Sequence, residues 1–255
     1  MDATDLWSTS VTDAIVEISF IVPALNEEDN LEELVERLED VIKRNGLSAE
    51  ILIVDDASTD NTFARAKRLA EKYPVVKPLH KGPPRGMGLS IWYGMQHAQG
   101  RVGVTVMADH VDPIDTIPLF RDKVIKEGYH LVLLSRWTNP GDTENIPPIY
   151  KFYQRGFRFL SRLLLGIKIL DITYGYRGFD MDFMRSIGLM SHGFNISPEI
   201  TFRTYCAGGK ICEIPGRQGR RYRGVSKFLF SKAYLEYGGV LLRAFICRVT
   251  GYWPK

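Results

Sequence analysis

Short apolar runs alternate with stretches whose apolar residues recur every three or four positions, and this alternation organises the first half of the chain. Ile15 to Val22 is short, apolar and β-branched, and Pro23 closes it, which predicts a buried strand. Leu31, Leu34, Val35, Leu38, Val41 and Ile42 then fall at helical spacing, with Glu27, Glu28 and Asp29 expected in the first turn, where the helix dipole favours carboxylates. Gly46 ends that helix. Ile51 to Val54 is a second predicted strand, and Ser58, Thr59 and Asp60 offer capping oxygens to a helix through Phe63, Ala66, Leu69 and Ala70. Strands at Val75 to Leu79, Val102 to Met107 and Tyr129 to Leu134 follow, separated by helices at Gly86 to Ala98 and Ile117 to Ile125. Such alternation predicts a doubly wound, mostly parallel α/β sheet with helices on both faces.

Past Arg136 the pattern changes. Residues 138–148 are rich in Pro and Gly, and Tyr150 to Leu165 is helical. Its cations Lys151, Arg155, Arg158 and Arg162 fall on one stripe, with Phe152, Phe159, Leu160, Leu163 and Leu164 elsewhere around the helix. A basic amphipathic helix with aromatics either lies on an anionic membrane surface or is a core helix with one solvated face. Phe228 to Val249 is a second helical stretch, aromatic-rich but too polar to span a bilayer. It either lies in the membrane interface or packs on the domain.

Composition adds one point. The net charge of +3 conceals a split: residues 1–146 carry 15 Lys and Arg against 24 Asp and Glu, and residues 147–255 carry 18 against 6. The basic second part is expected to meet an anion. No recognised nucleic-acid-binding module accompanies it, so nucleic acid is not expected as a partner. The three cysteines, Cys206, Cys212 and Cys247, form no CxxC pair and suit reduced thiols in a cytoplasmic setting. Met1 to Asp13 lacks the apolar core of a secretory leader and reads as a tail.

The candidate chemistry lies at strand ends. Acidic turns around Glu27, Asp55-Asp56 and Asp109 end three strands of the same sheet, so their carboxylates converge on the edge where open α/β sheets bind ligands. Carboxylates there bond a nucleobase or ribose hydroxyls, or hold a divalent cation. No GxGxxG follows the first strand and no GxxxxGK[ST] occurs, which excludes a dinucleotide fingerprint and a P-loop.

Six segments in order resemble those of family 2 inverting glycosyltransferases of the GT-A fold, and most of all the dolichyl- or polyprenyl-phosphate sugar synthase branch. Residues 23–31, Pro-Ala-Leu-Asn-Glu-Glu-Asp-Asn-Leu, are similar to P-x-Y-N-E-x-x-N-L, and Val54 to Thr62 matches V-D-D-x-S-x-D-x-T. Arg85-Gly86 with Gly94, and Gly100, resemble the K/R-G…G and A-x-G elements. Ser135-Arg136-Trp137 resembles S-R-Y, Gly175-Tyr176-Arg177 resembles S-G-F-R, and Arg221 to Lys227 is similar to R-x-R-G-x-S-K. The resemblance runs from about Ile18 to Lys227.

It implies an inverting hexosyltransferase that uses a nucleotide-sugar donor and a polyprenyl phosphate acceptor, peripheral to the cytoplasmic face of a membrane. It implies a donor site at Pro23, Leu25, Asn26, Glu27, Val54, Asp55, Asp56, Arg85, Ala108 and Asp109. Asp109, Arg136 and Arg221 are implied as catalytic residues. Arg136, Lys151, Arg155, Arg221, Arg223 and Lys227 are implied for the acceptor phosphate. Mg²⁺ or Mn²⁺ is implied as cofactor, with Asp109 its ligand. The expected organisation is a flexible tail at 1–14, a catalytic domain at 15–227, and a membrane-docking amphipathic segment at 228–255.

The sequence also departs from that pattern. Where the family reads D-A-D-L-Q, this chain reads Met107-Ala108-Asp109-His110-Val111, so two oxygen ligands are replaced, and His110 or Asp112 is the nearest substitute. Leu25 takes the place of a base-stacking aromatic. Two rival readings follow. One is transfer to a soluble or polysaccharide hydroxyl, which requires a base such as Glu199 or Asp112. The other is a nucleotide-sugar-binding protein that has lost catalysis.

Overall fold

The structure is a computed structural model and describes residues 15–139, 141–219 and 230–254. The first three units are βα repeats: β1 (Ile18–Ala24), α1 (Leu31–Asn45), β2 (Ala49–Asp56), α2 (Thr62–Lys72), β3 (Val76–Lys81) and α3 (Met87–His97). Then come β4 (Val102–Thr105), α4 (Ile117–Ile125), β5 (Leu131–Ser135), α5 (Pro148–Leu165), β6 (Arg177–Asp180), α6 (Met181–Ile187), α7 (Ile196–Cys206), β7 (Ile211–Pro215) and α8 (Phe230–Thr250). The strands form a seven-stranded sheet in the order β3-β2-β1-β4-β6-β5-β7. β6 runs antiparallel to both neighbours, and every other pair is parallel. The fold is therefore α/β with a mixed, mostly parallel sheet, as the alternation predicted, and β6 and β7 are additions to the expected strands.

The strand boundaries have physical reasons. β1 begins at Ile18 rather than Ile15 and continues through Pro23 to Ala24. It pairs with β4 only over residues 18–21, whereas its pairing with β2 extends to Ala24. Pro23 thus lies where one flank of the strand is already open, and its missing N–H costs little there. α1 buries the expected Leu31, Leu34, Val35, Leu38, Val41 and Ile42, and Gly46 ends it with φ 58°, donating to Ile42 and Lys43 carbonyls. Glu27 to Asp29 precede this helix rather than form its first turn, a place taken by Glu32 and Glu33.

β1 and β4 are neighbours, and the chain runs from β1 away to β2 and β3 before returning to β4 on the other side. Their carboxyl ends flank a topological switch point, the place where such sheets form a crevice. One apolar cluster lies on the α1, α2 and α4 face and another beneath α3, α6 and α7. A third joins α5, α7 and α8 through Phe157, Leu165, Phe202, Tyr237 and Ala244.

Both amphipathic segments pack on the domain. α5 packs inward through Phe157, Ser161 and Leu165, and leaves Ile149, Phe152, Phe159, Leu160 and Leu163 exposed. With Lys151, Arg155, Arg158 and Arg162 between those two stripes, it is a helix of three faces: buried, cationic and exposed apolar. α8 buries Tyr237, Val240, Leu241 and Ala244 and exposes Leu235, Leu242 and Val249. Among the described residues, no helix is long and apolar enough to cross a membrane.

Candidate active site

The turns after β1 and β2 are zipped together by the fixed positions of the second motif. The Asn26 N–H donates to Ser58 Oγ at 2.9 Å, the Glu27 N–H to Thr62 Oγ1 at 2.8 Å, and the Thr59 N–H to Asn26 Oδ1 at 2.8 Å. Asp60 takes the Thr62 N–H and hydroxyl at 2.9 and 2.6 Å. Burial works to raise the Asp60 carboxyl, but these bonds outweigh it and leave it below its ordinary value. Ser58 and Thr59 thus serve the neighbouring turn rather than cap α2. Asn26 and Ala57 both adopt left-handed backbone, φ 51° and 55°.

The two carboxylates of β2 point to different partners. Asp55 is buried, accepts the Ser58 N–H, and holds His80 Nδ1 at 2.7 Å, with the Phe63 ring 4.9 Å from that imidazole. The in-register pairing of Asp55 with His80 and of Asp56 with Lys81 on β3 sets both contacts. Asp56 binds Lys81 Nζ and the Gly86 N–H, each at 2.7 Å. Arg85 folds back on the Ala57 carbonyl through Nε and Nη2 at 3.0 and 2.6 Å. The Gly86 turn is pinned from the other side as well, because the Gly88 N–H donates to the His192 carbonyl at 2.8 Å. Asp56 and Arg85 therefore stiffen the turn that carries them.

Across the crevice, Met107, Ala108 and Asp109 follow β4. His110, in left-handed backbone at φ 61°, turns its ring away toward α1, with Nδ1 3.0 Å from Arg37 Nη1 and Nε2 3.1 Å from the Asn30 carbonyl. Burial, reinforced by Arg37, pushes its basicity down. Asp112 is also committed. It accepts the Met107 N–H at 2.7 Å and the Tyr174 hydroxyl at 2.7 Å, and its carboxyl is pushed up to about 7, first by burial and then by the charge of Asp109. Neither stands in for the missing ligands of the metal motif. Among the described residues no group of three or more His, Cys, Asp or Glu is arranged to hold an ion. A cation at this turn would have Asp109 as its nearest carboxylate and would take its other ligands from a diphosphate and water, a pattern usual for Mg²⁺.

Beside Asp109 opens a cavity of about 350 Å³. Asp109 and Arg136 give its lining two charged groups, and Tyr153 and Phe157 of α5 and Tyr237 of α8 give it aromatic surface. Arg136 is on the wall, but its fork is closed on Asp171: Nε to Oδ2 at 2.7 Å and Nη2 to Oδ1 at 3.0 Å. Nη1 donates to Gln218 at 2.7 Å, and the guanidinium lies 4.1 Å from the Tyr174 ring centroid. Burial alone would lower its pKa, but Asp171 overcomes this and holds it above the ordinary value. The Gly219 N–H donates to the Val111 carbonyl at 2.8 Å, which fixes the chain beside the Asp109 turn two residues before Arg221. Arg221, Arg223 and Lys227 themselves lie outside the described residues.

Other expected site residues fall elsewhere. Lys151 and Arg155 sit on the cationic face of α5 and do not line this cavity, and Arg155 is directed at Trp137, 5.4 Å from its ring. Glu199 is buried and spent on the Met190 and Ser191 N–H groups, at 2.8 and 2.6 Å, and on Arg203 Nε at 2.9 Å. It braces the 190–192 loop against α3. Arg177 is fully buried in a cage of carbonyls that includes Ser197 and Tyr174, and burial lowers its pKa to about 10. The motif reading missed Asp171, Tyr174, Gln218 and Tyr237. Tyr174 adjoins the recognised Gly175-Tyr176-Arg177 element, but Asp171 meets Arg136 across 35 residues, and no local pattern signals that.

Comparison with known proteins agrees with this architecture. The chain is 34% identical over 225 residues to dolichol-phosphate mannosyltransferase of Pyrococcus furiosus, covering 87% of this chain and 62% of that protein. It thus spans less than two thirds of that relative's length. It is 32% identical to undecaprenyl-phosphate mannosyltransferase of Micrococcus luteus, covering 81% of this chain and 85% of that one. In three dimensions it resembles glucosyl-3-phosphoglycerate synthase from Mycobacterium tuberculosis in complex with Mn²⁺, UDP and glucosyl-3-phosphoglycerate. The TM-score is 0.65 at 20% identity, over 91% of this chain and 79% of that one, a likeness of fold. The sequence profile of glycosyl transferase family 2 matches residues 19–188, which hold both acidic turns of the crevice, Asp109 and Arg136. This chain belongs to glycosyl transferase family 2.

Proposed function

We propose that this protein is an inverting hexosyltransferase that moves a sugar from a nucleotide-diphosphate donor to a polyprenyl-type phosphate, docked on a membrane surface without crossing it. The observation that carries the reading is the cavity beside Asp109. Its lining joins the charged Asp109 and Arg136 to aromatic side chains of the two helices whose outer faces are apolar and exposed. A ligand with a polar head and an apolar tail suits such a mixed lining. The names of the Pyrococcus and Micrococcus relatives support the same acceptor class.

The chemistry suits the residues present. A phosphate monoester has a second pKa near ~6, so its oxygen is already anionic and requires no strong general base. The carboxylates that a hydroxyl acceptor would need are occupied, since Asp112 and Glu199 are buried and bonded on both oxygens. The task left for the protein is to hold two anions in line. Arg136 faces the acceptor phosphate in this reading, and Arg221, Arg223 and Lys227 of the last motif are assigned to the same phosphate. The turns at Pro23–Glu27 and Val54–Asp56 face the nucleoside, with Asp55 and His80 at the base. Asp109 would hold Mg²⁺ or Mn²⁺ together with the donor phosphates, and such an ion supplies charge neutralisation as the diphosphate departs. Residues 15–227 are then the catalytic domain and 228–255 the docking segment.

The test is an acceptor screen with labelled nucleotide sugars. Polyprenyl phosphate should be glycosylated, and Arg221→Ala should abolish that transfer while calorimetry still detects donor binding. Transfer to soluble hydroxyls with none to polyprenyl phosphate would overturn the proposal.

A further inference from the structure

A second recess, of about 320 Å³, lies outside the cavity described above, where the cationic face of α5 meets the loop after it. Trp137, Arg155, Arg158, Arg162 and Lys168 line it. The guanidinium of Arg158 lies 4.8 Å from the Trp137 ring centroid and that of Arg155 5.4 Å, so the indole spaces two planar forks along one wall. Arg158 is anchored by an Nη1–H donated to the Leu170 carbonyl at 3.2 Å.

Among the described residues, no carboxylate forms an ion pair with Arg155, Arg158, Arg162 or Lys168. The two carboxylates whose field favours Arg158, Asp171 and Glu213, are turned inward. Asp171 is closed on Arg136, and Glu213 accepts the Leu170 and Asp171 N–H groups at 2.9 and 2.8 Å. Burial, with the charges of Arg155 and Arg162, lowers the pKa of Arg158. Like charges at this helical spacing repel, so an anion placed among them relieves a strain already present in the free protein.

We infer that this recess is a binding site for the phosphate of an anionic membrane lipid, distinct from the acceptor cavity. The inference rests on the docking part of the proposed function. The next stripe of the same helix fixes the source of the phosphate: Ile149, Phe152, Phe159 and Leu163 are exposed beside these cations. When that stripe enters the acyl boundary, the forks lie at headgroup depth. Planar guanidinium groups bind phosphate bidentately, which a general positive field does not require.

The experiment measures binding of the full chain to vesicles of phosphatidylcholine alone and with one lipid in five replaced by phosphatidic acid. The expected result is a preference for phosphatidic acid that falls by about fivefold for each cation removed in Arg158→Gln and Arg162→Gln. The charge-conserving double variant Arg155→Lys with Arg158→Lys should also lose most of the preference, because both forks beside the indole are gone. If the lysine variant prefers phosphatidic acid as strongly as the parent, the attraction is diffuse charge and the site is overturned. If the parent binds both vesicles equally, docking stands and the headgroup site falls; if it binds neither, the docking reading itself fails. Loss of the preference in millimolar glycerol phosphate would overturn the lipid source in favour of a free phosphate. Thermal melting screens the variants for folding, and Arg155→Lys alone, at an exposed position, repeats the comparison if the double variant is unstable.

Discussion

Arg136 and Asp171 form a buried, two-pronged ion pair, Nε to Oδ2 at 2.7 Å and Nη2 to Oδ1 at 3.0 Å, at the wall of the cavity beside Asp109. The pair makes Arg136 an element of the fold as well as of the site. Removing one partner leaves the other charge buried and alone, which costs about 3–5 kcal/mol. Asp171→Ala is therefore expected to unfold at much lower urea than the parent. Its chemical-denaturation midpoint checks this, and a midpoint within experimental error of the parent's would contradict the pair's role. For the same reason Arg136→Ala confounds stability with catalysis, and Arg221→Ala is the cleaner probe of the acceptor phosphate.

Gly88 is close-packed against a carbonyl. A Cβ at that position would lie 2.1 Å from the Ser191 carbonyl oxygen, and that loop is braced by Glu199 through the Met190 and Ser191 N–H groups. Backbone cannot rotate aside as a side chain does. Gly88→Ala is expected to cost about 1–3 kcal/mol of stability or more, and to weaken donor binding by disturbing the Arg85-Gly86 turn. Glu199→Gln, which replaces one of the two accepting oxygens with an NH₂ that cannot accept, should soften the same loop. Hydrogen exchange of the Gly88 amide reads both effects, and unchanged protection in both variants would refute the coupling.

Asp112 gives a pH dependence of definite sign. Its carboxyl is pushed up to about 7, from an ordinary value of 3.8, by burial first and by Asp109 as well. The folded state therefore binds this proton more tightly than the unfolded chain does. The stability from this group is fully present below the unfolded value and is lost as pH rises toward about 7. The slope is at most about 1.4 kcal/mol per pH unit. Asp112→Asn mimics the protonated form and should flatten that slope. Urea unfolding at a series of pH values between these limits decides it, and a slope equal to the parent's would reject the assignment.

β1 to β5, α1 to α4 and the placing of the acidic turns at one sheet edge were legible because each rests on local periodicity or on where a strand ends. α4 occupies Ile117–Ile125, as its spacing predicts. β6 was not legible: four residues, Arg-Gly-Phe-Asp, carry no alternation, and an antiparallel insertion leaves no trace in a βα pattern. Within the site, motif positions identified the turns but not the work of each side chain. Ser58 and Thr62 clamp the neighbouring turn, Asp56 and Arg85 brace their own, and Arg136 is held by a residue far along the chain. Those assignments depend on tertiary neighbours. α5 shows the same limit, since its cation stripe was visible in the spacing, whereas which of the remaining faces is buried is decided by α8.

That exposed face leads to the last expected outcome. Phe159 and Leu163 are 65% and 67% exposed, one turn apart on α5, and nothing in the core rests on them. Exposed positions away from caps and buried networks change stability by less than about 0.5 kcal/mol, so Phe159→Ser and Leu163→Ser should melt close to the parent. Fully burying such a side chain in an apolar phase yields about 1.5–3 kcal/mol, so each substitution should weaken binding to phosphatidylcholine vesicles by roughly tenfold or more if the face enters the bilayer. Leu235 and Val249, 80% and 68% exposed on α8, serve as a second pair on the adjoining helix. Vesicle flotation with both pairs separates the possibilities. Loss from both helices places α5 and α8 together at the membrane, and loss from α5 alone restricts docking to that helix. Undiminished flotation of all four variants would remove the apolar face from the docking surface and leave only charge.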